Sequence, residues 1–159
     1  MSWRRSCATA LACEAAGEQF AELLVSGDVV LLSGQLGAGK TTFTKGVARG
    51  LGVKERVTSP TFTMVHEHRC HHASGIVTLH HADVYRVTSL AEVLDLAIGE
   101  LVEESGVALV EWGELAASVF GRDVMTVRFE VDDDEVRTLE VSGALTIARG
   151  EAFDDWTGA

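Results

Sequence analysis

The 159 residues are the length of one domain, enough to bury roughly 68–70% of the surface the unfolded chain exposes without needing disulfide staples. A content of 47% hydrophobic and 23% charged residues is that of a globular, soluble protein, and no apolar run approaches the ~18–20 residues that span a bilayer. The formal net charge is −11 and the 13 basic residues are spread without a cluster, which disfavours a direct, strong grip on a nucleic-acid backbone.

Arg4-Arg5 ahead of the weakly apolar run from Ser6 to Cys13 has the outline of a lipoprotein leader. The run is too short and Glu14 interrupts it, so an ordinary cytosolic start is expected. Cys7, Cys13 and Cys70 are odd in number and lack zinc-finger spacing, which predicts a reducing, cytoplasmic setting and no disulfide framework. Leu11, Ala15, Phe20, Leu23 and Leu24 recur at loosely helical intervals; they predict a helix over about 9–26, stopped by Ser26-Gly27-Asp28.

Val29-Val30-Leu31-Leu32 reads as a buried parallel strand, and Thr42 to Ala48 can continue as a helix ending near Leu51, between Gly50 and Gly52. Between them lies Gly34-Gln35-Leu36-Gly37-Ala38-Gly39-Lys40-Thr41, a glycine, four residues, then Gly-Lys-Thr. In the order strand, loop, helix, successive backbone N–H groups and the helix N-terminus converge on one anion. The expected nucleotide-binding set is Gly34, Leu36, Gly37, Ala38, Gly39, Lys40, Thr41 and Thr42. Its glycines let the backbone approach phosphate, Lys40 reaches the β/γ oxygens, and the Thr41 hydroxyl is a ligand for Mg²⁺.

Ser59-Pro60 gives a rigid entry to a strand over Thr61 to His68, and both Ser59 and Thr61 sit where a hydroxyl can sense a γ-phosphate. His66, His68, Cys70, His71 and His72 invite a metal reading, but no matching ligand set follows, and Gly75 with the return strand makes a polar hairpin tip the expectation. That return strand, Ile76 to Asp83 and on to Arg86, ends in a carboxylate suited to a metal or to a turn. Ser89-Leu90-Ala91-Glu92 is a capping box opening an amphipathic helix with an acidic outer face. Val107-Ala108-Leu109-Val110-Glu111 is a second buried strand. Its terminal carboxylate is of the kind that holds a Mg²⁺ shell or orients water beside a phosphate loop, and Trp112 follows as core, lid or interface anchor.

Val124 to Val131 and Val136 to Val141 both alternate around Asp132-Asp133-Asp134, an antiparallel hairpin with one face to water. The domain is expected to occupy 1–149, and 150–159 to be a tail with no interpretable chemistry and freedom to move.

Four motifs in order, the loop through Thr42, Ser59-Pro60-Thr61-Phe62, His81-Ala82-Asp83-Val84-Tyr85-Arg86 and Glu111-Trp112-Gly113-Glu114, resemble the TsaE (YjeE) family of small bacterial P-loop ATPases in tRNA threonylcarbamoyladenosine biosynthesis. The resemblance covers about Gly27 to Val141. It implies an α/β P-loop NTPase-like, three-layer fold with a mixed sheet. By resemblance, Lys40 and Thr41 bind phosphate and Mg²⁺, Lys40, Asp83 and Glu111 form the catalytic set, Thr41, Asp83 and Glu111 the metal set, and Trp112 contacts the nucleotide region. The choice of ATP also comes from the resemblance. So does the role: ATP hydrolysis while docked on a two-protein threonylcarbamoyl-transferase complex of the TsaB and TsaD type, with tRNA reached indirectly and no membrane involved. Gln35 and His68 depart from the family pattern, where an acidic and an aromatic residue are usual, and neither removes a phosphate or metal group. A small-molecule or nucleoside kinase is the competing expectation, with Arg122 as its lone lid candidate; a nucleotide-dependent binding module with little turnover is the third.

Overall fold

A computed structural model of the chain describes residues 1–35, 37–60, 65–84, 100, 102–103, 105–111 and 124–158. The strand β2 (Val29–Ser33) is buried at every position, because the sheet is covered on both faces. Its side chains alternate: Val30 and Leu32 enter one core with Phe20, Phe43 and Val47, while Val29 and Leu31 enter a second with Ala108 and Val110.

Parallel pairing sets β5 (Gly106–Glu111) on one side of β2 and β6 (Met125–Val131) on the other. Beyond β5 lies β4 (Thr78–Asp83), also parallel, and then β3 (Val65–Arg69), antiparallel to β4. On the far side β7 (Arg137–Ser142) returns antiparallel to β6, and β1 (Ser2–Cys7) pairs antiparallel to β7. The order β1-β7-β6-β2-β5-β4-β3 is a mixed sheet, as expected, with both predicted hairpins in it. At the β6–β7 turn the Asp132 carboxylate accepts from the N–H groups of Asp134 and Val136, which fixes the register.

Two helices on the first core hold the loop. α1 (Ala10–Ala21) starts where the Thr9 hydroxyl accepts from the Ala12 N–H, and α2 (Lys40–Gly50) starts directly from the glycine loop. The expected helix over 9–26 is shorter because turn bonds from Leu23 to Phe20 and from Leu24 to Ala21 close it, and Leu11, read as a core residue, is exposed. The helix expected from Ser89 lies almost wholly outside the described residues; of its apolar face Val102 is buried in the second core.

Two regions differ from expectation. Residues 2–7, to which the sequence assigns no element, form β1, whose alternation is masked in the sequence by Arg5 standing at an inward-facing position between Trp3 and Cys7. The segment from 150, read as a tail, is structured: after α3 (Ala144–Ile147), α4 (Gly150–Trp156) buries Phe153 and Trp156 against Trp3 and Phe20. The Trp3 indole donates to Asp154, the Trp156 indole to the Ala16 carbonyl, and Arg5 to the Trp156 carbonyl, so polar tips of the buried rings are satisfied.

Candidate functional site

The C-terminal ends of β2, β4 and β5 lie at one edge of the sheet, where parallel α/β folds gather ligands. The glycine loop leaves β2 there, and the parallel register sets Asp83 of β4 directly opposite Glu111 of β5. Gly39 takes φ 105° and caps α2 in the left-handed region, which a side chain resists. Gly34, at φ 142°, passes so close to β6 that an added Cβ would lie 2.7 Å from the Phe129 carbonyl oxygen. Both glycines are therefore demanded by geometry.

Gly37, Gly39, Lys40, Thr41, Thr42, Ser59, Asp83, Glu111 and Arg137 line a cavity of about 180 Å³ at this edge. The Lys40 side chain is buried, and its ammonium donates to the carbonyl oxygens of Gly34 and Gln35, curling over the loop. The Thr41 hydroxyl donates to Glu111 Oε1 at 2.8 Å. Glu111 Oε2 lies 3.3 Å from His81 Nε2, and both side chains are almost fully excluded from solvent. A carboxylate this buried is costly unless hydrogen-bonded; the Thr41 hydroxyl supplies that bond, while His81 Nε2 stands nearby without forming one. On the other flank of the loop, Ser33, Gly34, Gln35, Ala38, Arg128 and Phe129 belong to a larger cavity of about 500 Å³.

The folded chain thus brings together Lys40, Thr41, Thr42, Asp83 and Glu111 with the loop glycines, while Ala38 faces the larger cavity. Ser59 joins them. Leu36, Thr61 and Trp112 lie outside the described residues. His81 and Arg137 were not singled out by sequence reasoning. His81 stands two residues before Asp83, so it projects from the same face of β4, but its meeting with Glu111 depends on the β4–β5 register; Arg137 reads only as an alternating hairpin residue. The histidine cluster resolves into separate contacts, with His68 Nδ1 2.6 Å from Glu55 and His72 Nε2 3.0 Å from Glu22. Among the described residues no three His, Cys, Asp or Glu side chains form a metal-holding group.

Oxygen donors dominate one side of the small cavity and cationic donors the other. A hydroxyl with two carboxylates suits a hard divalent cation such as Mg²⁺, whereas Lys40 and the α2 N-terminus suit phosphate.

The chain is similar to known proteins in both sequence and fold. The family model described as threonylcarbamoyl adenosine biosynthesis protein TsaE matches residues 7–139. A Treponema pallidum protein named tRNA threonylcarbamoyladenosine biosynthesis protein TsaE is 42% identical over 126 residues, 79% of this chain and 90% of that one. Its namesake from Streptomyces coelicolor is 44% identical over 133 residues, covering 80% and 87%. The crystal structure of Bacillus subtilis YdiB superposes with a TM-score of 0.73 at 28% identity, across 99% of this chain and 95% of that one. The fold agrees over nearly the whole length and the family model over residues 7–139, and the chain belongs to the TsaE family.

Proposed function

We propose that the chain binds ATP with Mg²⁺ at the glycine loop and hydrolyses it as a component of tRNA threonylcarbamoyladenosine formation, docked on a two-protein threonylcarbamoyl transferase of the TsaB and TsaD type. The observation that carries the reading is the Thr41–Glu111 hydrogen bond with Asp83 in register beside it, which gathers a loop hydroxyl and two carboxylates at the mouth of a phosphate-binding loop. Lys40, the loop N–H groups and Thr42 bind the polyphosphate; Thr41, Asp83 and Glu111 would hold Mg²⁺. When bound, the ion supplies charge neutralisation across the phosphate oxygens.

In the reaction a water oxygen bonds to the γ-phosphorus, the bond from that phosphorus to the β-bridging oxygen breaks, and ADP leaves with the electron pair. Asp83 and Glu111 divide between them the orientation of the water and the metal shell. The Thr41 hydroxyl holds the Glu111 carboxylate in place. The net charge of −11 supports work on a protein complex rather than direct capture of tRNA. Phosphate release measured with and without the transferase complex tests the reading: stimulated release supports it. Transfer to a small acceptor would instead make the chain a kinase, and negligible release in both conditions a binding switch.

A further inference from the structure

Arg137 opens β7, paired with Val131 of β6 on one side and Cys7 of β1 on the other. Because β7 runs against β6, its first residue lies at the same sheet edge as the C-terminal ends of β2, β4 and β5. The side chain crosses the glycine loop: its Cδ and Nε lie 3.1 and 3.3 Å from where a Cβ on Gly39 would stand. It lines the small cavity together with Gly37, Lys40, Thr41 and Thr42. Its Nε is buried without a hydrogen-bond partner, and among the described residues no carboxylate pairs with its guanidinium. A buried N–H donor left unmatched is costly. An anion in the cavity supplies the acceptor that the Arg137 Nε lacks.

We infer that Arg137 is a nucleotide-binding residue whose guanidinium donates to the phosphate oxygens of the bound nucleotide beside Gly39, the N-cap of α2. Its planar fork of donors matches phosphate better than a point charge does. The inference rests on the proposed nucleotide site and adds to it a contact from the edge hairpin.

The test is direct binding of ATP and ADP by calorimetry to the unaltered chain and to the Arg137→Gln, Arg137→Lys and Lys40→Ala variants, with inorganic tripolyphosphate as a competitor. Arg137→Gln is expected to weaken ATP and ADP about tenfold or more and to weaken tripolyphosphate in parallel, with Arg137→Lys recovering part of the loss. Binding by Arg137→Gln within about twofold of the unaltered chain, while Lys40→Ala loses nucleotide, overturns the Arg137 assignment alone. A loss seen with ATP but not with tripolyphosphate overturns the phosphate contact. Absence of nucleotide binding by the unaltered chain overturns this inference and the nucleotide site together. If Arg137→Gln fails to fold, Arg137→Lys decides: weaker tripolyphosphate binding at an unchanged melting temperature supports the contact, and unchanged binding overturns it.

Discussion

Glu111 shows how a single residue acquires a role from its neighbours. Alone it is a carboxylate ending an apolar strand; the hydrogen bond from Thr41, with His81 packed beside it, makes it an oriented acceptor at the mouth of the loop. Replacing it by Gln keeps the shape and removes the charge, so Glu111→Gln is expected to retain ATP in an equilibrium binding assay while hydrolysis slows by roughly 100-fold or more. Lys40→Ala is expected to lose nucleotide binding itself. Cys7 and Cys13 form a second closely coupled pair. A hydrogen bond from Cys13 pulls the Cys7 thiol down from 9.0 to about 7, against burial and with help from Arg5 and Arg137. The same bond, with burial, pushes Cys13 up. A lowered folded pKa adds stability that grows as pH rises through about 7 and is complete above 9.0, whereas the raised Cys13 contributes fully below 9.0 and loses its share above it. Urea unfolding should therefore show the stability gap between the unaltered chain and Cys7→Ser widening from about pH 6 to about pH 9; a flat gap would exclude the thiolate. Cys13 has one S–H, which also reaches the Gly39 carbonyl at 3.7 Å, so ionisation of Cys7 competes with a contact to the loop.

At the scale of elements, α1 and α2 approach so closely that glycines form the seam. A Cβ on Gly46 would lie 1.9 Å from the Glu14 carbonyl oxygen, and one on Gly17 would lie 2.2 Å from that of Phe43. Gly46→Ala is expected to cost about 1–3 kcal/mol through overpacking and to lower the melting temperature by roughly 2–4 °C per kcal/mol, read by calorimetry. Such glycines look like helix weaknesses in a sequence, since the partner they admit is on another element. The same limit explains which elements were legible. β2, the glycine loop, α2 and β5 carry their signals locally, in apolar runs and motif spacing, and the β6–β7 hairpin announces itself by alternation around an acidic turn. β1 and α4 do not, because Trp3 and Trp156 become core residues only by meeting partners about as far away as the chain permits.

Across the whole molecule, one aromatic chain joins these distant parts to the site. Phe153 packs on Trp3 and Phe20, Phe20 on Phe43, and Phe43, inside the helix that Lys40 begins, on Phe129. Phe153→Ala is expected to cost about 3–5 kcal/mol and to lower the single cooperative unfolding transition, whereas a side chain on a loose tail would cost almost nothing. The mixed fold was readable because the hairpin cannot belong to an all-parallel sheet, and Asp83 and Glu111 were readable as strand ends; the strand order that sets them opposite each other was not. The β1–β7 pairing has a further consequence in time. In the described sheet β1 bonds only to β7, so during synthesis the first strand made must wait, unpaired, until residues 137–142 have left the ribosome. The edge that carries Cys7 beside Arg137 is then the last to close, which makes completion of the cavity a late event in the life of each new chain.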